Sequence, residues 1–166
     1  RRAATPRRPR MIAVSALRRK YGALDADREL SVARGAKLIE GGRTKELRAL
    51  VAPLPAERLN ARDAHGFALA HHACAEGNAE ALKVLLEKGA DTNVANAEGE
   101  TPLHVAASVG YQACTRLLLA HGADPARATA AGKTAEHLAA HMGHGDIVRM
   151  LRRAVGGEGG AEDEEE

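Results

Sequence analysis

Apolar positions recur with helical spacing most clearly between Thr101 and Asp124, TPLHVAASVGYQACTRLLLAHGAD. Thr101 has the side chain an N-cap needs. Pro102 follows at the first helical position, where a missing N–H removes no bond. Leu103, Val105, Ala106 and Ala107 give a short helix its apolar side, and Gly110 ends it. Cys114, Leu117 and Leu118 then fall on one face of a second helix at i, i+3, i+4 spacing. Gly122 stops that helix, being a residue that tolerates positive φ. The small alanines let the two helices approach closely, so the stretch predicts a helix–turn–helix unit.

The unit recurs. Gly66, Gly99 and Gly132 are 33 residues apart, as are Gly77, Gly110 and Gly143. Leu85, Leu118 and Leu151 keep the same step, and so do His71, His104 and His137. This period, with TPLHVAA, LLLAHGAD and LLEKGADTN, resembles the ankyrin repeat. The resemblance implies an all-α solenoid of helix–turn–helix units joined by β-hairpin-like loops. It covers residues 36–155, as a degenerate first unit over 36–62 and full repeats over 63–95, 96–128 and 129–155.

The units differ in ways that a short array requires. In 36–62, Leu47, Leu50 and Val51 match Leu82, Leu85 and Leu86 one unit later. The following APLPAERLN reads as loop through Pro53 and Pro55. In the first full repeat Ala68, Leu69 and Ala70 replace Thr, Pro and Leu, so the capping hydroxyl is missing, at about 1 kcal/mol. The last repeat keeps Thr134 and His137 and ends at Arg152, Arg153 and Ala154 without a GAD turn, as a terminal unit would. Arginines in a last helical turn suit the negative end of the helix dipole.

Composition narrows the core. The 166 residues hold one Phe, two Tyr and no Trp, so Ala, Leu and Val must do the packing. Cys74 and Cys114 form no CxxC and read as small buried thiols, which mildly favours a reducing compartment. No apolar run approaches the length of a membrane span.

The net charge of +2 conceals two charged ends. Residues 1–24 hold eight Lys or Arg and no acid, whereas 157–166 hold six acids and no base. Between them, 25–156 carries 16 bases and 16 acids. Arg1 to Arg10, RRAATPRRPR, reads as a basic arm and GGEGGAEDEEE as an acidic tail without helical periodicity. Three readings of the arm stand: a plain solvated tail, a nuclear-localisation or nucleic-acid-binding arm, and a remnant that resembles an organelle transit peptide. The expected setting is accordingly intracellular: cytoplasm, nucleus, or an organelle such as a mitochondrion or plastid. Met11 to Tyr21 suits a three-turn helix with Ile12, Ala16 and Leu17 on one face. It either covers the open end of the stack or docks on a partner or an anionic membrane surface. Asp25 to Gly35 reads as polar loop with a short helix.

No catalytic constellation is legible. The chain has no G-x-S-x-G and no phosphate-cradling glycine loop. His71, His104 and His137 occupy the position whose ring, in ankyrin repeats, bonds back to the Thr hydroxyl and neighbouring backbone. His141 and His144 form an HxxH interrupted by Gly143, a weak metal motif. The expectation is a non-enzymatic chain without cofactor or metal.

The family resemblance implies a binding module that presents a concave surface of hairpin tips and first-helix faces. Carried over by position, the first full repeat offers His65, Phe67, His72, Ala75 and Glu76. The next offers Glu98, Glu100, Val105, Ser108 and Val109, and the last Lys133, Leu138, His141 and Met142. Phe67 aligns with Glu100 and Lys133, so an aromatic stands where charge is the rule, and it is the expected centre of a partner site. The competing expectation is that Phe67 folds back over Ala68 and Ala70. The implied function is a protein-binding scaffold or subunit of a larger assembly. A freestanding regulator of a partner protein is one alternative. Binding of RNA, DNA or lipid headgroups through Arg1 to Arg10 is another, and it would be steeply salt-dependent.

Overall fold

The computed structural model describes residues 31–156. The basic arm, the Met11 to Tyr21 segment and the acidic tail lie outside them. The described residues begin in helix α1, residues 31–40, followed by α2 (Thr44–Val51) and a short α3 (Ala56–Leu59). Three helix pairs follow: α4 (Leu69–Ala75) with α5 (Ala79–Glu87), α6 (Pro102–Val109) with α7 (Gln112–Ala120), and α8 (Ala135–His141) with α9 (Gly145–Val155).

Two differences from the sequence reading stand at the start. Residues 31–35 belong to a helix that runs on to residue 40, because Val32 is a core residue and Gly35 lets α1 lie directly against Leu69. A Cβ on Gly35 would stand 2.6 Å from Leu69 Cδ2. The APLPAERLN stretch also contains α3, since Pro55 at its N-cap commits the backbone to extended geometry there and Leu59 inserts into the core.

The pairs stack into two layers. In one, α4 packs on α6 and α6 on α8; in the other, α2, α5, α7 and α9 follow one another. The first layer is close because Ala73, Ala106 and Ala139, at one register in successive repeats, are each fully buried. The layers meet over Leu85, Leu118 and Leu151, all with no exposed surface, joined by Leu82, Leu103 and Ile147. Cys74 and Cys114 are free thiols within this core. The neighbouring Cys114 thiol and burial together push the Cys74 thiol well above its ordinary value, so it stays protonated.

Among the described residues the loops contain no strand; a single antiparallel bridge pairs Ala128 with Thr134. Each loop makes the same five-residue turn. Asp63, Asn96 and Thr129 open it, their N–H groups donating to the carbonyls of Phe67, Glu100 and Lys133, each at 2.9 Å. Asp63 Oδ1 accepts the N–H groups of His65 and Phe67, and Asn96 Oδ1 those of Glu98 and Glu100. The fourth residue is Gly66, Gly99 or Gly132 at φ +85, +78 and +74, a region that side chains with a Cβ disfavour.

Candidate protein-binding face

The face formed by the hairpin tips and the outer sides of α4, α6 and α8 is organised by histidines. His71 Nδ1 accepts the Ala68 N–H at 3.0 Å, the same bond that the ring makes in the two repeats that keep the threonine. Its Nε2–H donates to Glu100 O, 29 residues on, at 2.9 Å. His104 repeats the arrangement: Nδ1 takes the Thr101 N–H at 3.1 Å and the Thr101 hydroxyl at 2.8 Å, and Nε2–H reaches Lys133 O at 3.2 Å. Both rings are buried, and burial holds both below the ordinary histidine value. Each therefore acts as a neutral strut between one first helix and the next hairpin.

Around these struts the sequence-predicted residues fall into registers. His72, Val105 and Leu138 align on successive helices, and all three are half-buried. Glu76, Val109 and Met142 align one turn later and are exposed, as is His141. Val109 is 46% and Met142 59% accessible, so two neighbouring helices each present an aliphatic or thioether side chain to solvent. At the tips His65, Glu98 and Lys133 are exposed, while Phe67 and Glu100 are half-buried.

Three of these residues also serve the fold. The Phe67 ring lies edge-on to His71, with centroids 5.7 Å apart, and to His72 at 6.1 Å. It thus covers the strut of the imperfect first repeat while keeping part of its surface accessible. His72 Nε2–H donates to Asp63 Oδ2 at 2.9 Å. Burial alone would raise the Asp63 carboxyl, but the Phe67 and His65 N–H groups and the His72 ring outweigh it and hold it below its ordinary value. Glu100 Oε2 accepts the Asn96 amide at 2.9 Å.

The sequence reading missed a second set of contacts. Asn78, Tyr111 and His144 share one register. The Asn78 amide donates to Ile39 O at 3.2 Å and His144 Nε2–H to Ser108 O at 3.1 Å. The HxxH pattern is thereby accounted for, since His144 is turned to the preceding repeat. It also missed a polar cavity of about 490 Å³ behind the turns, lined by Asn60, Arg62, Asp91, Asn93, Val94, Ala95 and Arg127. The 33-residue spacing of Asn60 and Asn93 was the available signal: Asn60 Oδ1 accepts the Asp91 N–H, and Asn93 Oδ1 the Asp124 N–H.

Among the described residues no three His, Cys, Asp or Glu side chains converge on a point that could hold a cation. No helix among them is long and apolar enough to cross a membrane.

A comparison with curated proteins finds no match. A family model of ankyrin repeats, three copies, matches residues 70–162, more than half of the chain. Ankyrin repeats generally mediate protein–protein interaction, and the family is typically non-enzymatic. Taken with the 33-residue register, the two helical layers and the histidine struts, this match places the chain in the ankyrin-repeat family.

Proposed function

We propose that this chain is a non-catalytic scaffold or accessory subunit that captures a protein partner on the face of α4, α6 and α8. The observation that supports this reading is the adjacency of Val109 and Met142, exposed at the same register of neighbouring helices and flanked by half-buried Val105 and Leu138. Neither Val109 nor Met142 belongs to the core, so their surface contributes little to folding, whereas desolvating such a patch favours association. The charged residues around it, Glu76 at the end of α4 and Glu98 and Lys133 at the hairpin tips, would set orientation more than affinity.

The test is a paired substitution, Val109→Ser with Met142→Ser, in the intact chain. Affinity capture should lose the partner that the parent retains, while the melting temperature stays within a few degrees. Equal capture by parent and variant would reject this face as the binding site.

A further inference from the structure

We propose that the polar cavity behind the turns binds the carboxylate of an acidic side chain, aspartate or glutamate in a polypeptide segment, between Arg62 and Arg127. The proposal goes beyond capture on the α4, α6 and α8 face, because none of the cavity's residues belongs to the Val109–Met142 patch.

The two arginines break the repeat. Arg62 stands at the register of Ala95 and Ala128, and Arg127 at that of Ala61 and Val94. Ala61 and Val94 are buried, so stacking by itself asks for an apolar side chain at the second of these positions. Both arginines nevertheless line one cavity of about 490 Å³, which they reach from units on either side of Val94 and Ala95. The fold makes little use of them. Arg62 forms no hydrogen bond or ion pair with a described residue. The Arg127 guanidinium donates one bond, from Nη1 to Asn93 O at 3.1 Å.

The rest of the lining is held in place and still has donors to spare. Asn60 Oδ1 accepts the Asp91 N–H at 2.8 Å, and Asn93 Oδ1 the Asp124 N–H at 2.9 Å. Each carboxamide is thus fixed by its oxygen, while its Nδ2 donates to no described residue. Asp91 Oδ1 accepts the Asn93 N–H at 2.8 Å, which ties that loop to itself. The main chain of Val94 and Ala95 bonds to no described residue either. The next unit has Ala126 at the asparagine register, so among the described repeats this arrangement occurs once.

Charge and donor geometry select the ligand. Two guanidinium groups against the one Asp91 carboxylate leave a single positive charge in the lining. One carboxylate neutralises it. A phosphomonoester, at about −1.5 to −2, would put excess negative charge beside Asp91. Each guanidinium presents a planar fork that fits both oxygens of a carboxylate. The spare carboxamide donors and the main chain of Val94 and Ala95 are groups that pair with peptide bonds, and they line the same cavity. A free inorganic anion would leave them unused. The ligand is therefore an acidic residue within a polypeptide.

The probe is the blocked peptide acetyl-Gly-Glu-Gly-amide, titrated at low salt into the full-length ¹⁵N-labelled chain and followed by NMR. Exposed charge pairs are individually weak, so a peptide this short should bind in the millimolar range. The Asn60 and Asn93 side-chain amide signals and the Arg62 and Arg127 Nε signals should move together and saturate. Those of the Asn78 and Asn96 amides, which are already engaged, should stay in place. The peptide with glutamine for glutamate should give no saturable shift, and the phosphoserine peptide should bind no more tightly than the glutamate one. Arg62→Gln and Arg127→Gln should each weaken binding roughly threefold or more. Equal shifts with the glutamate and glutamine peptides, undiminished binding to Arg62→Gln, or tighter binding of the phosphoserine peptide would each overturn the assignment. Arg62 has no partner among the described residues, so Arg62→Gln should melt with the parent; if it does not, the three peptides on the parent chain decide. The chain's own acids at 158 and 162–166 are a second source of the same group. Their replacement by glutamine and asparagine in the full-length chain should leave the peptide-free Asn60 and Asn93 signals unchanged if a separate polypeptide supplies the carboxylate. It should shift those signals and tighten peptide binding if the chain supplies its own. The Val109→Ser, Met142→Ser chain should bind the glutamate peptide as the parent does, so failure of the cavity and failure of the patch are read separately.

Discussion

His71 Nε2 lies 2.9 Å from the carbonyl oxygen of Glu100, while His71 Nδ1 accepts the Ala68 N–H. One neutral ring thus caps α4 and fastens it to the following turn. His104 does the same between Thr101 and Lys133. Protonating Nδ1 would turn the acceptor into a second donor facing an N–H, so the folded state disfavours the charged ring at both positions.

The pH dependence follows from that sign. Burial holds both rings below their ordinary value of 6.5, so just below pH 6.5 the unfolded chain binds more protons than the folded one. Stability from these rings is fully present above pH 6.5 and is lost as pH falls through the folded values. Urea unfolding should show a lower midpoint at about pH 5.5 than at about pH 7.5. The Asp63 carboxyl, held below 3.8, contributes a loss only at more acidic pH. A midpoint unchanged across the histidine window would mean that the struts tolerate the imidazolium.

Leu118→Ala should destabilise by about 2–5 kcal/mol. Leu118 has no exposed surface and belongs to α7, which contacts α5, α6 and α9, so the cavity would lie between its own helix pair and both neighbouring repeats. Chemical denaturation of the purified variant measures it. A curve superimposable on the parent's would contradict the core described above.

Gly110→Ala and Gly122→Ala separate strain from crowding. Both glycines have positive φ, +97 and +85, which costs an L-residue about 1–2 kcal/mol. Only at Gly110 would the added Cβ also meet a side chain, His144 Cε1 at 2.6 Å, displacing a ring bonded to Ser108 O. The Gly110 variant should therefore melt clearly below the Gly122 variant. Equal melting temperatures would show that the His144 ring yields at no cost.

Phe67→Ala should affect both folding and binding. The edge-on contacts with His71 and His72 are worth about 1 kcal/mol to the fold. The ring's accessible remainder, at the tip beside the proposed partner face, should cost about 2 kcal/mol or more in affinity if it anchors a partner. Calorimetric melting and binding on one preparation distinguish the two contributions. A stability loss without any affinity loss would make Phe67 a cover for its own repeat.

The sequence by itself determined the repeat, its phase and most of its core. Leu85, Leu118 and Leu151, the turn glycines and the strut histidines are all written at one fixed interval, because every stacked unit must present the same surface to the next. Which accessible residues are free and which are engaged was settled only by tertiary structure. Phe67 and Glu100 share a register, yet one covers two rings and the other lends its carbonyl to a histidine of the preceding repeat. His72, read as open surface, is tied to Asp63. Helix α3 escaped detection because two prolines mask a single apolar anchor, Leu59. Contacts such as Asn78 to Ile39 and His144 to Ser108 join residues 39 and 36 positions apart. A local pattern does not encode such pairs; they exist only once stacking brings the units within hydrogen-bonding distance.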